Sequence, residues 1–253
     1  MQLPIRINHL LILTLLLGLS SCQTNETFES NEIQLTGQVA NPAINRATLF
    51  SIYGRQTLAI NDGSFQRTLK SDRPTVLNIV MGNNSLSLYA RPGDHIQLEY
   101  GLEPTPRISG GLVTENQFLS SLTDSLRNKM GNPMGIYRLP EEVAVEQLAT
   151  IQQYGLDLLQ AFQLEQPRLN HSFVELAKQY VVYFTGTFLT EYPNYYPYAH
   201  PDAENYQPGA ALQAAIDQLQ AEQPDLLALP SYIDALKAKK TAKANALMKQ
   251  DSS

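Results

Sequence analysis

Between Glu32 and Ile108 short runs of β-branched, aromatic and leucine residues recur about every ten residues, separated by turn residues. That spacing, with a period of two inside the runs, predicts strands over 33–39, 47–53, 56–60, 64–69, 76–81, 86–90 and 96–100. Leu86, Leu88 and Ala90 share one face while Ser85, Ser87 and Tyr89 take the other, and Ile96 and Leu98 alternate with Gln97 and Glu99. Each strand is therefore expected to bury one face and wet the other. Gly54-Arg55, Asn61-Asp62-Gly63 and Gly82-Asn83-Asn84 supply hairpin chemistry, because Gly, Asn and Asp tolerate positive φ. An antiparallel β-sandwich or partial barrel follows.

After about Gly110 the period lengthens to near 3.6. Thr114 and Gln117 have the spacing of a capping box, and Phe118, Leu119, Leu122 and Leu126 form one stripe behind them. Further helices are predicted over 141–166, where Pro140 suits the first turn, over 172–192 and over 210–222. From Ser231 a last helical pattern loses its stripe at Lys240 and Lys243. Its Lys237, Lys239, Lys240, Lys243 and Lys249 suit a solvated tail, or a contact with a partner or membrane surface. The predicted fold class is α+β, an N-terminal antiparallel β-sandwich-like module over 32–109 followed by an α-helical module over 110–230, with a Lys-rich tail over 231–253.

The N-terminus obeys neither period. Arg6 precedes a nearly unbroken apolar run from Leu10 to Leu19, and Ser20-Ser21-Cys22 follows. Ten or so apolar residues fall short of the roughly 20 needed to cross a bilayer, so 1–21 reads as a secretory signal. Leu19-Ser20-Ser21-Cys22 resembles the bacterial lipobox, which implies cleavage before Cys22 and lipidation of it; an uncleaved anchor or a buried free thiol is the alternative. Acyl chains contribute about 0.8 kcal/mol per buried methylene, enough to hold a folded domain at a membrane without a spanning helix. Residues 22–31 are polar and aperiodic and are expected to form a flexible tether.

Composition narrows function mainly by exclusion. The 253 residues carry 18 Lys and Arg against 24 Asp and Glu, a net charge of −6, and this gives no general case for nucleic-acid binding. Loss of 1–21 would remove Arg6 alone among the charged side chains. A single Cys rules out an internal disulfide, a CxxC pair and a cysteine zinc site within this sequence. No GxSxG elbow, phosphate loop, dinucleotide fingerprint or calcium loop occurs. His95, His171 and His200 stand apart from one another. No catalytic residue, metal site or cofactor is assigned, although His200, Asp202 and Glu204 alternate as weak metal-ligand candidates.

The best candidate for a binding surface is the segment from Tyr192 to Tyr206, which concentrates Tyr192, Tyr195, Tyr196 and Tyr198 with Pro193, Pro197 and Pro201. Tyrosine offers rigid amphipathic contact area and proline lowers the entropy of ordering a loop, so sugar stacking or protein contact fits. Equally, the rings can cover the end of the helical core and link two helices.

Four features occur in a fixed order: Gly37 in the first strand, Asn61-Asp62-Gly63 before Phe65, the Arg91-Pro92-Gly93-Asp94 turn, and Ser109-Gly110-Gly111 before Glu115-Asn116-Gln117-Phe118-Leu119. Behind a lipobox, this order resembles the N-terminal module, a domain of unknown function, of thioredoxin-like (TlpA-type) disulfide-reductase lipoproteins of the Bacteroidota. The resemblance implies a cell-envelope lipoprotein anchored through Cys22, with the outer membrane favoured because Gln23 stands where many inner-membrane lipoproteins carry Asp. In that family a thioredoxin domain with CxxC follows. No CxxC pair occurs within this sequence, so no redox chemistry carries over to its residues. Asp124-Ser125-Leu126 is similar to the O-glycosylation acceptor pattern of the same bacterial group, which makes Ser125 a candidate modification site. Pro92, Gly93 and Asp94 read as turn-formers on their own physics. The expectation is a non-catalytic envelope lipoprotein acting in binding or assembly, partnered by the membrane through its lipid and by an envelope protein. An accessory or truncated relative of the reductases and a glycan-binding lipoprotein are the alternatives.

Overall fold

Alternation of period two becomes two facing four-stranded sheets in the computed structural model, which describes residues 30–101, 106–203 and 206–219. The strands are β1 (Glu32–Val39), β2 (Arg46–Ser51), β3 (Gly54–Ala59), β4 (Ser64–Lys70), β5 (Thr75–Met81), β6 (Asn84–Ala90), β7 (His95–Tyr100) and β8 (Arg107–Gly110). One sheet has the order β4-β1-β7-β8 and the other β3-β2-β5-β6. Ile33, Leu35, Leu49, Ile79, Leu88 and Ile96 meet between them and are buried. At one side β3 lies against β4, where Arg67 Nη2 donates to Gln56 Oε1 at 2.6 Å.

Two expectations change here. β1 and β7 pair in parallel, because the turn from Arg91 to Asp94 brings the chain back beside the start of β1. Gly93 N–H donates to the Glu32 carbonyl at 2.8 Å, and Gln34 N–H to that of Asp94 at 2.9 Å. β8 was not expected at all. It has four residues, too few to display a period, and it ends at Gly110, whose φ of 93° places the chain so close to His95 that a Cβ would lie 2.2 Å from the His95 carbonyl oxygen. Gly37 has a related reason. It faces Phe65 across the β1–β4 register, and the Phe65 ring occupies the space a Cβ would need, 2.1 Å from the nearest ring carbon.

The helical part comprises α1 (Val113–Met130), α2 (Pro133–Ile136), α3 (Glu141–Glu165), α4 (His171–Ala199) and α5 (Ala210–Leu219). Leu119, Leu122 and Leu126 of α1, Leu148 and Ile151 of α3 and Val181 of α4 bury one another in a second core. Gly155 permits a close approach of three helices, since a Cβ there would lie 2.8 Å from both Leu126 and Val181. Among the described residues no helix is long and apolar enough to cross a membrane. The signal segment, Cys22, the tether up to Glu29 and the Lys-rich tail lie outside the described residues.

α1 joins the cores by covering β6, the edge strand of its sheet. An edge strand presents backbone donors and acceptors that no strand answers. Here Asn116, wholly buried, answers them: Tyr89 N–H donates to Asn116 Oδ1 at 2.7 Å, and Asn116 Nδ2 donates to the Tyr89 carbonyl at 3.0 Å. Arg127 Nη1 reaches the Ser85 carbonyl at 3.4 Å. The expectation that Ser87 and Tyr89 lie on a wet face is therefore corrected. Tyr89 packs edge-on against Phe173 of α4 at 5.2 Å, and Ser87 Oγ donates to Asn78 Oδ1 at 2.8 Å and lies 3.1 Å from the Tyr180 hydroxyl. That hydroxyl also meets Thr123 Oγ1 at 3.0 Å, so one polar chain ties sheet, α1 and α4 together.

Two helix ends also differ from expectation. The capping box at Thr114 does not form: α1 starts at Val113, its cap is Leu112 at φ 60° with no side-chain bond, and Asn116 turns to the sheet instead. α4 does not stop at Tyr192 but continues through Pro193 and Pro197. Each proline forgoes one backbone bond, and the packing of Tyr192 and Tyr196, described below, offsets that loss.

Replacing Asn116 by Leu keeps the branched shape of the side chain but leaves the buried Tyr89 N–H and C=O unanswered. At roughly 1–3 kcal/mol for each such group, a loss of about 3 kcal/mol is expected in urea unfolding, and an unchanged midpoint would contradict the bridge. Gly37→Ala is expected to cost about 1–3 kcal/mol through overpacking. Pairing it with Phe65→Leu should recover part of that loss in the same assay, whereas additive losses would show that the ring is not the obstacle.

Candidate functional site

The tyrosine-rich segment forms the last turns of α4 and the chain just beyond, rather than a loop between helices. Helical spacing sorts its rings. Tyr192 is buried and donates from its hydroxyl to the Leu139 carbonyl at 2.6 Å, and its ring stacks on Tyr196 at 5.2 Å. Tyr196 in turn lies 4.6 Å from the ring of Tyr206 and stacks on His200 at 4.2 Å. The Tyr206 hydroxyl donates to Glu141 Oε2, and the same oxygen accepts the Gly209 N–H at 2.8 Å. These contacts fasten the start of α3, the end of α4 and the approach to α5. Only Tyr195 and Tyr198 of the four candidate rings face outward, at 41% and 82% exposure. Tyr195 stacks at 4.9 Å on Tyr137, whose hydroxyl donates to Glu191 Oε2 at 2.8 Å.

Electrostatics reinforce this sorting. Burial, and then the Glu191 carboxylate, push the Tyr137 hydroxyl well above the ordinary tyrosine range. Burial and Glu141 do the same to Tyr206, and burial, followed by Tyr196 and the acids at the start of α3, raises Tyr192. These are neutral hydrogen-bond donors held in place, suited to positioning rather than to taking a proton.

The remaining candidates are dispersed. Pro92, Gly93 and Asp94 form the turn between β6 and β7, where Asp94 Oδ2 accepts the Arg91 N–H at 2.7 Å and Oδ1 lies 3.5 Å from the Arg91 guanidinium. Gly111 sits against the same carboxylate, 3.2 Å from its would-be Cβ. His95 is exposed, with Nε2 3.3 Å from Thr36 Oγ1. His171 opens α4 behind Asn170, whose side chain accepts the Ser172 N–H at 2.8 Å. His200 Nε2 lies 3.3 Å from the Arg138 carbonyl; Asp202 is exposed, and Glu204 lies outside the described residues. Among the described residues no three His, Cys, Asp or Glu side chains gather as a metal set.

Ser125 is half-buried on α1 at the floor of a groove of about 800 Å³ between α1 and β8. Gln117, Ser121, Asp124 and Asn128 line its helical wall, and Glu99, Arg107 and Ser109 its sheet wall. A second groove of about 790 Å³ begins at the same Glu99 and runs over Gln97, Thr36, Gln38 and Gln66 to Thr57 on β3. Sequence reasoning missed this surface and the Asn116 bridge. The signal for the surface was present in the Gln and Thr residues that alternate with buried positions of β1, β4 and β7.

Fold and surfaces together define an α+β protein, a two-sheet sandwich closed on one side by a helical bundle, with open polar grooves. No protein-family model, curated protein or solved structure matches the chain.

The raised tyrosines fix a pH dependence. Between about pH 10 and the folded-state values, the folded protein keeps protons that the unfolded chain releases, so their contribution is complete below pH 10 and is lost as pH rises beyond it. Thermal melts are expected to fall as pH rises beyond about 10, and Tyr137→Phe to flatten that fall. Equal slopes for the two proteins would contradict the assignment.

Proposed function

We propose that this chain is a non-catalytic cell-envelope lipoprotein, held at the outer membrane through acylated Cys22 and acting as a binding or assembly module. The observation that supports the binding role is the pair of grooves meeting at Glu99, broad and open, where amides and hydroxyls stand with Arg67, Arg107 and Asp124 on regular strands and a helix. Such a surface suits recognition of an extended polar partner, since rigid elements hold their side chains at low entropic cost. The anchoring role is supported by Leu19-Ser20-Ser21-Cys22 behind its apolar run. The acidic balance opposes nucleic acid as the partner.

Metabolic labelling with an alkyne fatty acid in a bacterium that processes lipoproteins tests the anchor. The chain is expected to take up label and sediment with membranes, and Cys22→Ser to lose both properties. Membrane association that survives Cys22→Ser without label would overturn the lipoprotein reading. In the same cells, in-envelope crosslinking should yield adducts of the intact protein that are lost on placing Arg at Ser121 in the groove.

A further inference from the structure

The outer face of the β4-β1-β7-β8 sheet has an unusual chemistry. Its outward side chains stand in register across the strands: Thr68, Gln34 and His95 in one row; Gln66, Thr36, Gln97 and Ser109 in the next; Ser64, Gln38, Glu99 and Arg107 in the third. Most are exposed and none is aliphatic or aromatic, and α1 approaches the rows at their β8 end. On the rows full charges occur as opposite-sign register partners, Glu32 with Lys70 and Glu99 with Arg107, and along the grooves Arg67 and Asp124 add one charge of each sign, so the surface carries no net charge. Four strands about 4.8 Å apart make a platform roughly 14 Å wide. The two grooves extend it, one onto β3 and the other up to α1.

We propose that this face binds a neutral glycan chain, laid across the strands from the β3 side towards α1. The proposal rests on the binding role above and names its ligand class. Amides and hydroxyls both donate and accept, which matches a ligand whose own groups are hydroxyls. A hydrophobic partner surface would strip water from these groups without replacing their bonds. An anionic polymer meets no net positive field, and a peptide strand adds at a sheet edge rather than on a face. The site is separate from the tyrosines of α4. Without an aromatic platform a single oligosaccharide should bind weakly, with Kd on the order of 0.1–1 mM, and a polymer more tightly through repeated contacts.

The test uses the full chain in detergent micelles, titrated by NMR and calorimetry with maltoheptaose, cellohexaose, mannohexaose and, as the anionic comparison, polygalacturonate. At least one neutral oligosaccharide is expected to bind. Gln97→Ala with Thr36→Ala should weaken it about tenfold while the melting temperature holds, Gln97→Glu should weaken it without removing bulk, and Tyr195→Ala with Tyr198→Ala should leave it unchanged. No binding of any neutral probe at about 10 mM, well above the expected Kd, overturns the proposal. So does binding indifferent to Gln97, binding lost at Tyr195 and Tyr198 instead, or preference for polygalacturonate. Envelope crosslinking by a protein that binds none of these sugars would remove the glycan and leave the binding role standing. Sugar binding by a protein that takes up no acyl label would do the reverse for the anchor.

Discussion

Everything in this fold turns on how the free edge of β6 is satisfied. Sheets end somewhere, and an uncovered edge invites pairing with another chain. At the opposite side of the sandwich β3 and β4 lie against each other. At β6 the solution is a helix in place of a strand, with one carboxamide reproducing the donor and acceptor that a neighbouring strand would have offered to Tyr89. A carboxamide has the peptide group's pattern of one carbonyl and adjacent N–H. Asn is short enough to present it from a closely packed helix.

From that contact the two cores become one mechanical unit. Tyr89 and Val76 belong to strands yet bury their side chains among helices, and the Ser87–Tyr180–Thr123 chain runs through the same interface. The Ser87, Tyr180 and Thr123 hydroxyls there lie within hydrogen-bond reach, each of the next, so they specify a docking angle as well as contributing to stability. α1 is fixed to the sheet by side-chain bonds at Asn116 and, eleven residues later, at Arg127. The wall it offers the groove beside β8 is therefore rigid.

Strands and helices were legible where their period was long. The pattern over 33–39 corresponds to β1 within a residue, and that over 141–166 to α3 within a residue. Three features were not. β8 is too short to display a period, and its geometry depends on Gly110 fitting under His95, a contact distant in sequence. Asn116 sits one residue before Gln117, so a local reading spent that segment on a capping box, while a buried partner in Tyr89 could be supplied only by the tertiary fold. Pro193 signals a helix end by local rules, yet the rings of Tyr192, Tyr196 and Tyr206 stabilise the continuation. The tyrosine cluster was found by composition, and its division into inward and outward rings needed the helical phase that this wrong end had concealed.

The same binary pattern had two different outcomes, and side-chain size explains why. Ser85, Ser87 and Tyr89 on β6 read as polar alternation just as Gln34, Thr36 and Gln38 on β1 do. Ser87 is small and needs few partners; Asn78 and Tyr180 supply them, so a helix can approach and bury it. Each Gln brings two donors and a two-lone-pair acceptor, and burying a row of them under a helix would leave several unmatched at roughly 1–3 kcal/mol each. One polar face could therefore be absorbed into the core. The other remains in solvent, where its amides stay available to a partner that brings hydrogen-bonding groups of its own.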